Sequence, residues 1–247
     1  MKIKLIILLL TISIWGVSYG YDTSYIDSIG VFHKIKLLGN IDAICNISKD
    51  SVGYMKYPDA TLRERLFIKN NNGTLSIQII QDSEDPEILP AIELFTDSLI
   101  FIENCYDGKL KIRGDVIAPS FQAKQQGNGI IEIDSIYSAN IIASVTAGKG
   151  TIRILSGNCC TSKCRIMGAG TIDILGINSD KVICKFFGGG KILCYPVNYL
   201  SIFGVGSTKV YYMGSPEIDN FWNTCKRMDL SESHTEKEIS ALINKIN

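Results

Sequence analysis

The chain has 247 residues, room for one large β domain or two small ones. Its 25 basic residues balance 25 acidic ones, and setting aside Lys2 and Lys4 with the leader described below leaves 23 against 25. That balance gives no sign of nucleic acid or of an anionic membrane as a partner.

Residues 1–20 have the order of a secretory signal: Lys2 and Lys4, an apolar run from Leu5 to Val17, then Ser18-Tyr19-Gly20. The apolar core is short for a membrane span, which needs about eighteen residues, and no later window reaches that length. A lipid anchor would need a cysteine at the cleavage point, but the first cysteine is Cys45. The expectation is cleavage after Gly20 and an exported chain, periplasmic, cell-surface or extracellular, with no transmembrane segment after signal removal.

From Ile29 to Tyr57 the text is strand-like, with candidates at Ile29 to Leu37, Ile41 to Ile47 and Val52 to Tyr57. Leu66 to Ile68 and Leu75 to Ile80 follow, and turn signals at Gly39-Asn40, Lys49-Asp50, Pro58-Asp59 and Asn70-Asn71-Asn72-Gly73 separate the runs. A polar stretch, Gln81 to Glu87, precedes Ile92 to Phe95 and Leu99 to Glu103. No helix is expected before the C-terminus, and no linker divides the chain.

A repeat then takes over. Gly127-Asn128-Gly129, Gly148-Lys149-Gly150, Gly168-Ala169-Gly170, Gly188-Gly189-Gly190 and Gly204-Val205-Gly206 have first glycines 21, 20, 20 and 16 residues apart. Aligned on those glycines, Ile130-Ile131-Glu132-Ile133 matches Thr151-Ile152-Arg153-Ile154, Thr171-Ile172-Asp173-Ile174, Lys191-Ile192-Leu193-Cys194 and Ser207-Thr208-Lys209-Val210. The second and fourth columns are nearly all apolar, so they face one way along a strand and stack from repeat to repeat. Ahead of the glycines, Cys164, Cys184 and Leu200 form one column and Ile166, Phe186 and Ile202 another. A unit of about twenty residues cannot bury its own face, so parallel coils must stack, each turning at a glycine corner that needs φ > 0 or close backbone approach. Phosphate-binding loops do not fit: Gly188-Gly189-Gly190-Lys191 lacks the P-loop spacing, and no Gly-x-Gly continues to the third glycine of a dinucleotide fingerprint.

The outward column Glu132, Arg153, Asp173 alternates in sign and reads as a solvated salt-bridge ladder. Eight cysteines in an exported chain permit disulfides, yet several stand where other repeats carry apolar residues, as buried free thiols do. Cys164 and Cys184 share a column, so their closeness is expected and free thiols are favoured over a bridge. Metal ligation lacks support, with no CxxC and both histidines, His33 and His234, outside the repeat. No catalytic, cofactor-binding or metal-ligating residue is singled out. Past Pro216, Thr235-Glu236-Lys237-Glu238 has capping-box form, with Ile239, Leu242, Ile243 and Ile246 on one face of a short helix.

The Gly-x-Gly-x-Ile ladder, closed by Val210-Tyr211-Tyr212-Met213-Gly214-Ser215-Pro216, resembles the head GIN domain family of auto-transporter adhesin heads common among exported Bacteroidetes proteins. Phe32-His33-Lys34-Ile35 and Gly73-Thr74-Leu75-Ser76-Ile77 are similar to that family's opening segments, so the resemblance covers roughly residues 30–216. It departs in the short last interval, the many cysteines and the C-terminal helix. The resemblance implies an all-β, right-handed parallel β-helix-like fold and an adhesin role, and brings no catalytic residues. The expected organisation is a signal at 1–20, a β-helical domain at 21–226 and a helical tail at 227–247. The expected function is a non-enzymatic binding or adhesin-like module whose partner is a glycan, a surface or an envelope protein. Its oligomeric state stays open. The alternatives are a carbohydrate-active β-helix lyase or hydrolase, which would need acids and bases clustered on one outward ladder, or an envelope structural protein acting through a partner.

Overall fold

The computed structural model describes residues 24–79, 89–219 and 224–231. Eight short strands come first: β1 (Tyr25–Ser28), β2 (Lys34–Leu37), β3 (Ala43–Ile47), β4 (Tyr54–Tyr57), β5 (Leu66–Asn71), β6 (Thr74–Ile79), β7 (Ile92–Thr96) and β8 (Phe101–Asn104). Five long ones follow, β9 (Lys109–Gln125), β10 (Ile130–Val145), β11 (Thr151–Gly168), β12 (Thr171–Gly188) and β13 (Lys191–Val205). Three short strands close the stack, β14 (Lys209–Tyr212), β15 (Glu217–Asp219) and β16 (Lys226–Asp229). The long strands exceed the usual five or six residues because each bends around the molecule and supplies most of one coil. The result is the expected all-β solenoid, of about six turns.

One element departs from the sequence reading. A single helical turn, α1 (Ala60–Glu64), sits where Pro58-Asp59 suggests only a turn. Asp59 caps it, its carboxylate accepting from the Leu62 amide at 2.8 Å and the Thr61 hydroxyl at 2.6 Å. The C-terminal helix expected over 235–246 and the signal at 1–20 lie outside the described residues. The rungs themselves run on to Asp229, because β16 pairs in parallel with β14.

Strands β9 to β14 stack in parallel and in chain order. The N-terminal coils do not: β2 lies between β6 and β8, and β3 between β7 and β9. The coil at 34–47 is therefore an inner layer, held between β6 and β7 on one side and β8 and β9 on the other. Antiparallel pairing of β1, β4 and β5 finishes that end. The β5–β6 hairpin turns at Asn72-Gly73, where both residues have positive φ, 49° and 75°, as a two-residue type I′ turn requires.

The glycine alignment holds through the first four repeats: Ile131, Ile152, Ile172 and Ile192 are neighbours in register. It is wrong for the fifth. Ile192 pairs with Val210 rather than Thr208, and Cys184 pairs with Ile202 rather than Leu200, which stands beside Val182. The cause is a two-residue slip in which Gly204 stands beside Phe186 and a Cβ on Gly206 would collide with Gly188. Thr208 takes the second glycine's place, buried, with its hydroxyl donating to the Gly188 carbonyl at 3.0 Å.

The two glycines of a corner do different work. Gly188 has φ +133°, open to glycine and strained for other residues. Gly190 has no such φ, but a Cβ there would stand 2.5 Å from the Gly170 carbonyl oxygen. That closeness lets each corner bond to the next, with Lys191 donating to the Gly170 carbonyl at 3.0 Å and Lys209 to that of Gly190 at 2.9 Å. A second thread extends the corner motif to earlier coils than the glycines reveal. The side chains of Asn40, Asp107 and Asn128 accept from the backbone amides of Asp107, Asn128 and Lys149 at 3.1, 2.7 and 3.1 Å.

Inside, Leu110, Ile131, Ile152, Ile172, Ile192 and Val210 form one continuous apolar column, fully buried. Ala123, Ala143, Cys164, Cys184 and Ile202 form another. Cys164 and Cys184 are thus direct register partners, as the repeat demands, and both are free. The Cys184 thiol beside it, together with complete burial, pushes Cys164 well above the ordinary thiol range. At Cys184 the hydrogen bond with Cys164 acts to lower it, but the Cys194 thiol and burial outweigh that and drive it up as well. These sulfurs fill core volume and are poor nucleophiles.

Two outcomes follow from the coil geometry. Gly190→Ala should cost about 2 kcal/mol or more in urea unfolding, whereas Gly189→Ala, which meets only the mobile Ser207 hydroxyl, should cost less than about 1 kcal/mol. Thiol titration of the native chain should label the exposed Cys160 quickly, and Cys45, Cys164, Cys184 and Cys194 only after denaturant exposes them.

Candidate functional site

Because side chains alternate, each flat side of the solenoid carries two outward residues per coil, and these line up in rows. The side containing β6, β2 and β8, continued by the C-terminal parts of β9 to β12, has one row running Ser76, Lys36, Glu103, Lys124, Ser144, Arg165, Lys185. The row beside it runs Thr74, Lys34, Phe101, Gln122, Ile142, Lys163, Ile183. Lys69, on the hairpin strand β5, stands next to Ser76. Six of those fourteen row positions are basic and Glu103 alone is acidic, so a chain of zero formal charge carries a positive face.

Glu103 offsets only part of that charge. Its nearly buried carboxylate takes Lys36 at 3.2 Å and Lys124 at 2.8 Å, and accepts from the Gln126 amide at 2.7 Å. Burial acts to raise its pKa, but the hydrogen bonds from Lys124 and Lys36 win and hold it below the ordinary carboxylate value. One carboxylate thus fixes two lysines on adjoining coils. Among the described residues Lys34, Lys69, Lys163, Arg165 and Lys185 have no acidic partner.

Across the N-terminal half of this side runs an open groove of about 770 Å³. Lys34, Lys36 and Lys69 supply its charge, Phe101, Ile100 and Ile142 its apolar floor, and Asn71, Ser120 and Gln122 neutral hydrogen-bonding groups. Lys36 also leans over the Phe101 ring, 5.7 Å from its centre. A second, smaller hollow lies further along the same rows between Lys163, Arg165, Ile183 and Lys185. The chemistry available is attraction of anions and hydrogen bonding of hydroxyl groups.

Among the described residues no acid–base pair converges on the groove. His33, near its edge, meets Ser98 Oγ at 2.9 Å and Asp97 at 3.9 Å. Both contacts fall on Nδ1, whereas a nucleophile–base–acid relay needs one partner on each ring nitrogen. The column Glu132, Arg153, Asp173 lies on a different side, with Lys111 before it: Lys111 meets Glu132 at 2.8 Å and Arg153 meets Asp173 at 3.4 Å. It is less solvated than its sequence suggests. Asp173 is buried, and its row continues into Leu193 and Tyr211, which join Leu230 in a small second apolar cluster. Among the described residues no group of three or more His, Cys, Asp or Glu side chains is placed to hold a metal ion, and no helix is long and apolar enough to cross a membrane.

The basic rows escaped the sequence analysis because net charge conceals sidedness. Their signal was present, since Lys163 and Arg165 flank Cys164 and Lys185 follows Cys184, so the outward partners of an inward column were basic in two successive repeats.

Glu103→Gln should lower stability by about 1 to 3 kcal/mol at pH 7. A carboxyl whose folded pKa lies below its ordinary 4.5 contributes stability above that value and loses it as the pH falls further. The gap between wild type and variant in urea unfolding should therefore narrow from pH 7 to pH 3.

Solved structures share this architecture. A protein from Bacteroides fragilis described as "a putative adhesin" matches with a TM-score of 0.72 and 18% identity, over 83% of this chain and 94% of its own. Another such protein, from Parabacteroides merdae, gives 0.63 and 17%, over 83% and 95%. A "putative lipid binding protein" from Parabacteroides distasonis gives 0.62 and 20%, over 85% and 94%. At these identities the likeness is one of fold. No curated protein matches the chain. The family described as "Putative auto-transporter adhesin, head GIN domain" matches residues 31–216, three quarters of the chain. With its closing Val210-x-Tyr212-x-Gly214-x-Pro216 inside that span, the chain belongs to the head GIN domain family.

Proposed function

We propose that this chain is an exported, non-enzymatic binding module of the adhesin type, working at the cell surface or within the envelope. The observation that carries it is the positive, grooved side of the solenoid, where cations and neutral hydrogen-bonding groups stand in register and, among the described residues, no acid–base pair stands with them. Membership of an adhesin-type family supports the same reading. Export rests on the order of charge, apolar run and small residues in 1–20, with a mature chain from Tyr21. The β-solenoid supplies rigidity: contacts made by backbone-locked strands lose little conformational entropy on binding.

The test is to incubate the chain from Tyr21 onward with arrayed polysaccharides and immobilised envelope proteins, measuring retention and any new reducing ends or unsaturated sugars. Saturable retention with the polymers left intact is expected. Time-dependent release of shortened products would instead establish a lyase or hydrolase and overturn the reading.

A further inference from the structure

Resting on that binding-module reading, we infer that the ligand of the positive side is an extended anionic polysaccharide lying along the solenoid axis. Three features of the rows point there. The first is length: from β6 to β12 the rows cross six inter-strand steps of about 4.8 Å, a track of about 29 Å, which suits a polymer better than a compact solute. The second is spacing of charge. The cations without an acidic partner fall in two groups, Lys34 and Lys69 at one end, Lys163, Arg165 and Lys185 at the other, joined by neutral Gln122 and Ile142. Lys34 and Lys163 are four steps apart in one row, about 19 Å, so one ligand reaching both must be long.

The third feature is the lining. Asn71, Thr74, Ser120 and Gln122 suit a chain rich in hydroxyl groups, and the Phe101 ring gives the apolar face of a sugar a surface to rest on. A membrane would need apolar groups protruding beside the cations. Such a ridge exists at the neighbouring corner, where Met167, Phe187 and Val205 stand in register with Met167 and Phe187 58% and 57% exposed. It stands two residues along from Arg165 and Lys185 but off the larger groove, whose lining mixes Phe101, Ile100 and Ile142 with lysines and neutral hydrogen-bonding groups. The ridge therefore supplies the control that separates the two partners.

The chain from Tyr21 onward is titrated with polygalacturonate, with the same polymer methyl-esterified to remove its charge, with dextran sulfate, and with vesicles of phosphatidylglycerol and phosphatidylcholine. Binding to polygalacturonate or dextran sulfate, falling steeply with added salt, is expected, with the esterified polymer bound at least about tenfold more weakly. Lys34→Glu combined with Lys163→Glu should weaken anionic-polymer binding by about tenfold or more, while Phe187→Ser leaves it unchanged. Unaltered thermal unfolding of both variants shows that the fold persists. Failure to bind either anionic polymer, equal binding of the free and esterified forms, or indifference to the paired charge reversal overturns the inference and leaves the binding-module reading intact. Binding confined to anionic vesicles and lost in Phe187→Ser assigns the surface to a membrane instead. Cleavage of the polymer would be the different outcome that removes the underlying reading.

Discussion

Everything in this molecule depends on how closely one coil can approach the next at its corners. A backbone carbonyl at Gly150 or Gly170 accepts from the residue that opens the following coil, at 3.0 Å in each case, and the glycine above, Gly170 or Gly190, leaves no Cβ to hold the two apart. Fixing that one distance fixes the register of whole coils, and register decides which side chains become neighbours. The apolar columns, the thiol pair and the positive rows are all consequences of it.

The interior answers a packing problem with few residue types. Isoleucine recurs because its branched side chain suits a pleated surface and stacks on its own kind from coil to coil. Cysteine enters the same columns as a small hydrophobe, and the pairing of Cys164 with Cys184 records coincidence of register more than chemistry. Outside, the same regularity acts on charge. One lysine per coil is unremarkable, but parallel stacking turns such residues into a row, and Glu103 holds two of them in place on adjoining coils.

The central repeat was legible in the sequence because glycine and isoleucine recur at nearly constant spacing from Gly127 to Gly190. The last coil was not, because Thr208 fills a glycine's place, its hydroxyl donating to the Gly188 carbonyl, so alignment on Gly204 slipped by two residues. The first coils carry the corner in Asn40 and Asp107 rather than in glycine pairs, which hid their kinship with the repeat. α1 rests on one capping carboxylate, a signal too local for periodicity to detect. The groove joins Lys34 and Lys69 from early strands to Ser120 from β9 and Ile142 from the repeat, residues brought together by coils whose stacking order differs from their chain order.

That difference of order bears on how the chain acquires its structure during synthesis. Strands β2 and β3 emerge first among the coils yet are sandwiched by strands made later, so their edges stay unpaired until residues up to about 113 are available. The N-terminal third cannot grow rung by rung as a simple linear array would, and closes only when its later layers fold back around an earlier one. Along the axis the first parallel coil of the chain, 34–47, is not the end of the solenoid. Losing the segment 34–47 would remove a keystone from the middle of the stack, where losing a terminal rung would merely shorten it.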